Sequence, residues 1–165
     1  MKRDRPWLKL DNAGKIYPAA RTRKWSALFR VSMTLDEPVC PETLQAALLR
    51  VSCCLPFFFM RLRHGVFWYY LEAADVQPRV REDGPFPCMP FDKEDQGFCF
   101  RVLYYRSRIA VEFFHVLTDG SGGLVFLSTL VAEYLTLKYG VSIPRDARVL
   151  DVSDLSWASQ GQHTL

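Results

Sequence analysis

A strand that leads directly into a glycine-rich helix start is the sequence feature that most limits how this chain can fold. In residues 109–115 apolar side chains alternate with a period of two, which predicts a strand that ends at His115. From position 124 onward, leucine and valine recur at helical spacing, which predicts a helix over about 122–139. His115 and Asp119 therefore flank a strand-to-helix corner. Such corners hold side chains at the edge of a sheet, where a substrate can reach them, so this segment is a candidate active site.

Two plainer interpretations of the same residues compete with an active site. A lone histidine that ends an apolar strand is often a half-buried residue bonded to backbone. The nearby Asp119 and Gly120, in a strand-to-helix context, favour the functional interpretation. A metal site is disfavoured because His64 lies in a predicted hairpin and His163 in the tail, so neither completes a ligand set at a recognisable spacing. We expect no bound metal.

Composition excludes several classes of protein. At 165 residues and 49% hydrophobic content, the chain can bury a sizeable core as one compact unit. Its net charge is only +3, and its basic N-terminal residues form no known nucleic-acid motif, so we expect no nucleic-acid partner. The N-terminus resembles no signal peptide, and no apolar run is long enough to predict a membrane span. Five cysteines without a C-x-x-C pair are typical of a reduced, cytoplasmic protein, and none lies near a histidine in sequence, which disfavours a cysteine nucleophile.

The order of predicted elements indicates the fold class. Residues 25–35 predict a strand, Pro41 opens a helix that Pro56 ends, and residues 57–71 predict a hairpin. A loop over 78–97 precedes a second hairpin over 98–114, and Gly140 is placed to cap the last helix. The order β-α-β-β-β-β-α predicts an α+β two-layer sandwich, a mixed sheet with the helices packed on one face.

The pattern His115-x-x-x-Asp119-Gly120 in this context resembles the active-site motif of the chloramphenicol acetyltransferase-like superfamily. That superfamily includes CoA-dependent acyltransferases, alcohol acetyltransferases and the condensation domains of peptide synthetases. The resemblance extends to residues 10–18, to the helix from Pro41, and to residues 56–70, which look like the N-terminal half of alcohol acetyltransferase-like and condensation-like proteins. Condensation domains usually carry two adjacent histidines, whereas this chain has Phe114 before its histidine, which favours the single-histidine branches.

The resemblance implies a role for each matching residue. His115 would be the general base, a task that suits an imidazole because it is largely neutral and basic at cell pH. Asp119 would be structural and paired with an arginine, and Gly120 would allow a tight backbone turn beside the substrate. Arg61 is the first choice for the partner of the aspartate and Arg63 the second, although both would equally solvate the outer face of a hairpin. Weaker candidates for the substrate channel, which serve equally as a turn and an anchor, are Asp11, Asn12 and Tyr17.

The resemblance also implies a domain organisation and an activity. Residues 1–145 would be the N-terminal half of such an acyltransferase, and residues 146–165 a linker or truncated tail. A second, similarly folded half would complete the channel, so we expect the chain alone to be inactive and to pair with that half or with itself. The implied reaction moves an acyl group from acyl-CoA, a co-substrate and not a resident cofactor, to a small alcohol or amine. A carrier-protein-dependent condensation domain and a non-catalytic binding or dimerisation module remain open alternatives.

Overall fold

The computed structural model describes residues 7–9, 27–64 and 69–153. Two short 3₁₀ turns, Pro56–Phe59 and Lys93–Asp95, accompany the regular elements of these residues. In chain order, those elements are β1 (Trp7–Lys9), β2 (Leu28–Thr34), α1 (Pro41–Cys54), β3 (Met60–His64), β4 (Tyr69–Ala73), β5 (Arg81–Glu82), β6 (Phe100–Tyr105), β7 (Arg108–Phe114) and α2 (Gly120–Tyr139).

The strands form two sheets. The larger has the order β2-β7-β6-β5 and is mixed, because β5 runs parallel to β6 while the other pairs are antiparallel. The smaller is antiparallel with the order β1-β4-β3. A single bridge between Arg61 and Phe98 links β3 to the chain just before β6. The predicted α+β class with a mixed sheet is confirmed, although the hairpin of β3 and β4 belongs to a sheet of its own.

The two helices pack against each other, and α2 also lies across β2 and β7. Between helix and sheet the core is aromatic: the ring of Phe126 on α2 lies 4.9 Å from Phe58, 5.2 Å from Phe100 and 5.5 Å from Phe113. All four rings are at most 1% exposed. Offset and edge-to-face contacts of this kind add to the stabilisation that burial of the rings provides. The strand that ends at the candidate site is therefore held by a packed aromatic cluster.

Helix α2 is long and apolar enough, on length and composition alone, to cross a membrane, with a mean hydropathy of 1.3. In this fold, however, 56% of the apolar window is buried inside the protein, as in the core helix of a globular domain. The helix buries Glu133 as well, whose carboxylate binds Arg145 at 2.5 Å. Leu150, itself buried, donates its backbone N–H to the hydroxyl of Thr129 at 3.0 Å. The predicted tail is thus held against α2 as far as the structure describes it.

An ion-pair network covers the opposite face of the larger sheet. Glu112, fully buried on β7, accepts bonds from Arg30 at 2.8 Å and Arg101 at 2.7 Å. Both arginines stand directly across from it on the neighbouring strands. Arg30 also binds Asp83 through two guanidinium nitrogens. The backbone N–H of Cys88 donates to Glu112 at 2.7 Å, so the network also anchors the loop over 83–97 to the sheet.

The structure differs from the sequence prediction in details with clear causes. The short strands β1 and β5 were not predicted because two or three residues carry no readable period. Residues 57–59 form a 3₁₀ turn, not a strand, since Pro56 has a φ suited to a helical turn. Helix α2 begins two residues early, at Gly120, and ends as predicted at Tyr139, where Gly140 caps it with a left-handed φ of 68°.

Candidate functional site

The backbone of His115 is held from two sides. Its N–H donates to the carbonyl of Ala27 at 3.0 Å, which continues the pairing of β2 and β7 by one residue. Ala27 has a left-handed φ of 50°, which lies outside the extended conformation of β2. Beyond His115, a hydrogen bond of 2.8 Å from the N–H of Leu117 to the carbonyl of Phe114 closes a turn. The backbone of His115 is thus held at the end of β7, directly before the turn that leads to α2.

The imidazole of His115 lies against the ring of Phe29 on β2. Their ring centroids are 4.4 Å apart and the planes are inclined by 37°. Phe29 stacks in turn on Phe113, at 5.4 Å and 26°. His115 is partly exposed while Phe113 is fully buried, so the three rings run from the core to the surface. A partly exposed imidazole that is supported on one face can meet a substrate in a defined orientation.

Asp119 is the N-cap of α2. Its Oδ1 accepts a bond from the N–H of Gly122 at 3.0 Å, and its carbonyl accepts the first helical bond from Gly123 at 2.9 Å. The residue is exposed. An aspartate suits this position because its side chain satisfies an otherwise unpaired amide and its charge complements the positive end of the helix. The neighbouring Thr118 is buried, and its hydroxyl has no hydrogen-bond partner in the described residues.

The expected ion pair between Asp119 and Arg61 or Arg63 does not form within the described chain. Arg63 binds Glu72 at 2.6 Å, across the hairpin of the smaller sheet. The side chain of Arg61 lies next to Gly97, and its buried Nε has no hydrogen-bond partner among the described residues. The physical reason is the division into two sheets, because both arginines belong to β3 of the smaller sheet, whereas the strand before Asp119 belongs to the larger one.

The steric demand for glycine lies at Gly123 and not at Gly120. A Cβ at Gly120 would meet no heavy atom within 4 Å, and its φ is not left-handed. A Cβ at Gly123 would lie 3.0 Å from Cε2 of Phe29 and 3.2 Å from Cε2 of Phe113. Gly120 thus leaves open space at the corner, and its role beside a substrate remains a prediction.

The other predicted site residues fall outside what the structure describes. Asp11, Asn12 and Tyr17 lie in this category, as does the side chain of His64. Among the described residues, no group of three or more His, Cys, Asp or Glu side chains is placed to hold a metal ion. Sequence reasoning also missed one contributor to the site, Phe29. Its alternation with Val31 was readable, but the register that sets it against Phe113, next to His115, was not.

Comparisons with known proteins identify solved structures that share this fold. No protein-family profile and no curated protein matches the chain. Among solved structures it is similar to the X-domain in its complex with OxyB from teicoplanin biosynthesis, with a TM-score of 0.64 and 14% identity over 97% of this chain and 39% of that one. It is also similar to polyketide synthase associated protein 5 from Mycobacterium tuberculosis, with a TM-score of 0.62 and 14% identity over 84% of this chain and 35% of that one.

A third similar structure is the starter condensation domain of rhizomide synthetase RzmA, with a TM-score of 0.57 and 13% identity over 73% of this chain and 34% of that one. At these identities the likeness establishes the fold alone. The chain has the half-domain fold of condensation domains and related biosynthetic proteins, and it spans about a third to two fifths of the length of these three. The expected half-domain fold is confirmed.

Proposed function

We propose that this chain is the histidine-bearing half of an acyltransferase that transfers an acyl group from a CoA thioester to an alcohol or amine, with His115 as the general base. The observation that carries the proposal is the position of His115. A partly exposed imidazole, whose backbone is held by Ala27 and whose ring lies against Phe29, stands four residues before Asp119, the N-cap of α2. This arrangement lies in a fold shared with condensation domains.

The proposed reaction needs only one proton carrier from this chain. A neutral imidazole nitrogen of His115 accepts the proton of the acceptor O–H or N–H while the oxygen or nitrogen attacks the thioester carbonyl carbon. The tetrahedral intermediate then collapses, the C–S bond breaks, and the imidazolium returns the proton to the departing thiolate. The products are an ester or amide and free CoA, and the histidine is regenerated. A rigid imidazole favours this chemistry because proton transfer and attack must be aligned.

The same chemistry is compatible with a carrier-protein thioester as the donor. The similarity to a starter condensation domain supports that second candidate, which differs only in what carries the acyl group. A third candidate is a non-catalytic interaction module, which is favoured by the similar X-domain, found in a complex with OxyB. Donor preference and binding experiments separate the three.

We further propose that the site is completed by a second half, because the chain spans only 34% to 39% of the similar proteins. A sheet and corner that are open on one side favour association. We therefore expect no transfer by the 165-residue chain alone, and dimers or larger species by sedimentation. A clean monomer at high micromolar concentration, or robust turnover by the chain alone, would contradict this part of the proposal.

The decisive experiment compares two histidine substitutions in the assembled protein, that is, this chain together with the second half that completes its site. Transfer to alcohol and amine acceptors is measured with acyl-CoA donors and, separately, with acyl carrier protein. His115→Ala should lower the rate by about 10²- to 10⁴-fold, the usual contribution of a positioned general base. His64→Ala is the matched control and should leave the rate unchanged. Equal activity of the two variants would refute the assignment of His115.

A further inference from the structure

We propose that Phe29 is a positioning residue that sets the orientation of the His115 imidazole, and that position 123 is glycine because a larger residue would displace that ring. For its effect on turnover, this inference rests on the proposed function of His115. Its structural part does not rest on that function, since it concerns only how Phe29 and Gly123 determine the orientation of the His115 ring.

Phe29 occupies a restricted space. Its direct cross-strand partner is Phe113, and the two rings stack on the same face of the sheet, 5.4 Å apart. Phe113 is itself locked, because it is fully buried and contacts Phe58, Phe100 and Phe126. Phe29 is only partly buried. Of the two stacked rings, Phe29 is therefore the one that can move.

Gly123 closes this space from the helix side. A Cβ there would approach Cε2 and Cζ of Phe29 to 3.0 and 3.3 Å, and Cε2 of Phe113 to 3.2 Å. These contacts are tighter than ordinary van der Waals separation, so one neighbour has to shift by a few tenths of an ångström. Because Phe113 is locked by its aromatic neighbours, the displacement falls on Phe29, whose ring supports the imidazole at 4.4 Å.

A displaced Phe29 ring affects the proposed proton transfer by changing the orientation of the His115 imidazole. The backbone of His115 is held by Ala27, so its side chain changes orientation only by rotation about its own bonds. The Phe29 ring restricts that rotation by covering one face of the imidazole. An error of about 1 Å in the placement of a catalytic group can lower a rate by about 10²-fold. Substitutions at Phe29 or Gly123 are therefore expected to change kcat more than KM.

The test reads the imidazole directly by NMR in the 165-residue chain. Three histidines give three sets of imidazole signals, and His115→Gln identifies the one of interest. Because the Phe29 ring current acts on that imidazole, Phe29→Leu should move its signals. Phe29→Tyr keeps the ring and should leave the signals near their positions in the parent chain. Gly123→Ala should move the same signals. Gly84→Ala is the matched control, because a Cβ there meets nothing within 4 Å, and it should leave them in place.

Kinetics in the assembled protein provide the second measurement. Phe29→Leu and Gly123→Ala should lower kcat by about 10-fold or more with KM within about twofold, and Phe29→Tyr should stay near the parent. Unchanged His115 signals in both Phe29→Leu and Gly123→Ala would overturn the positioning inference even if transfer is observed. Shifted signals in Gly123→Ala, which keeps both aromatic rings, in a protein that transfers no acyl group would instead uphold the positioning and refute the proposed function.

Discussion

The carboxylate of Asp119 accepts a hydrogen bond from the backbone N–H of Gly122 at 3.0 Å, which makes the motif aspartate the cap of the longest helix in the described chain. This contact gives Asp119 a structural task that needs no arginine. The residue is exposed, so its charge remains solvated and requires no counterion within the described residues.

Asp119→Ala should therefore lower the free energy of unfolding by about 1 kcal/mol, the usual effect of losing a helix N-cap. Asp119→Ser keeps an oxygen that can accept the same bond and should retain most of the stability. Urea denaturation followed by circular dichroism measures both variants. A loss of about 3 kcal/mol or more in the alanine variant would instead indicate a buried ion pair of Asp119.

The Glu112 network should be the most sensitive polar element of the fold. Glu112→Gln removes the charge that lies between Arg30 and Arg101 in a fully buried position, and we expect a loss of about 3 kcal/mol or more. The control is Glu72→Gln, which breaks the pair with Arg63, whose side chain is 44% exposed, and should change stability by less than about 1 kcal/mol. Chemical denaturation of the two variants compares them directly. Equal losses would show that burial does not distinguish these pairs.

Asp83 should make the fold sensitive to acid. Burial of this carboxyl acts to raise its pKa, but hydrogen bonds and charge from Arg30 and Arg108 outweigh burial and hold the pKa below its usual value. A depressed pKa in the folded state means that the contribution is complete above the unfolded pKa of about 3.9 and is lost as the pH falls through the lower folded value.

Thermal denaturation between pH 6 and pH 2.5 tests this linkage. The parent should lose stability below about pH 4, and Asp83→Asn should lose less over the same interval because it no longer takes up that proton. Asp36→Asn is the control, since Asp36 is exposed and makes no ion pair among the described residues. If Asp83→Asn and Asp36→Asn follow the parent curve alike, Asp83 makes no such contribution.

Local patterns were sufficient to predict most of the fold. Pro41 and Gly140 carry backbone preferences that act within one turn, so the start of α1 and the end of α2 could be read from single residues. The hairpin of β6 and β7 was equally readable, because its two apolar runs are adjacent in sequence. The left-handed φ of 50° at Arg106, where the hairpin turns, is not one that its residue type favours. These features depend on neighbours in sequence and not on the rest of the molecule.

The candidate site depends on contacts that no local pattern encodes. Both faces of β7 are buried, so the alternation that singled out His115 did not reveal that Glu112 on the other face binds two arginines. The partner of Arg63 proved to be Glu72, its diagonal neighbour across the hairpin. The support of His115 by Phe29 depends on the register of β2 and β7, which is a tertiary property.

Two adjacent cysteines at the end of α1 should differ sharply in reactivity. Cys53 is exposed, whereas Cys54 is fully buried, and burial raises the pKa of its thiol to about 11. Since the thiolate is the reactive form, Cys54 should resist alkylation in the folded chain. Its pKa in the unfolded chain is about 8.5, so its contribution to stability is complete below that pH and is lost as the pH rises toward about 11.

Iodoacetamide labelling at pH 8 with peptide mass spectrometry tests the difference between the two thiols. Cys53 should be modified first, and Cys54 only after denaturant is added, because its modification requires the helix to leave the core. Cys53→Ala removes the neighbouring label and should leave Cys54 protected. Labelling of both thiols at similar rates without denaturant would mean that the end of α1 opens readily in solution, and that the burial of Cys54 does not hold there.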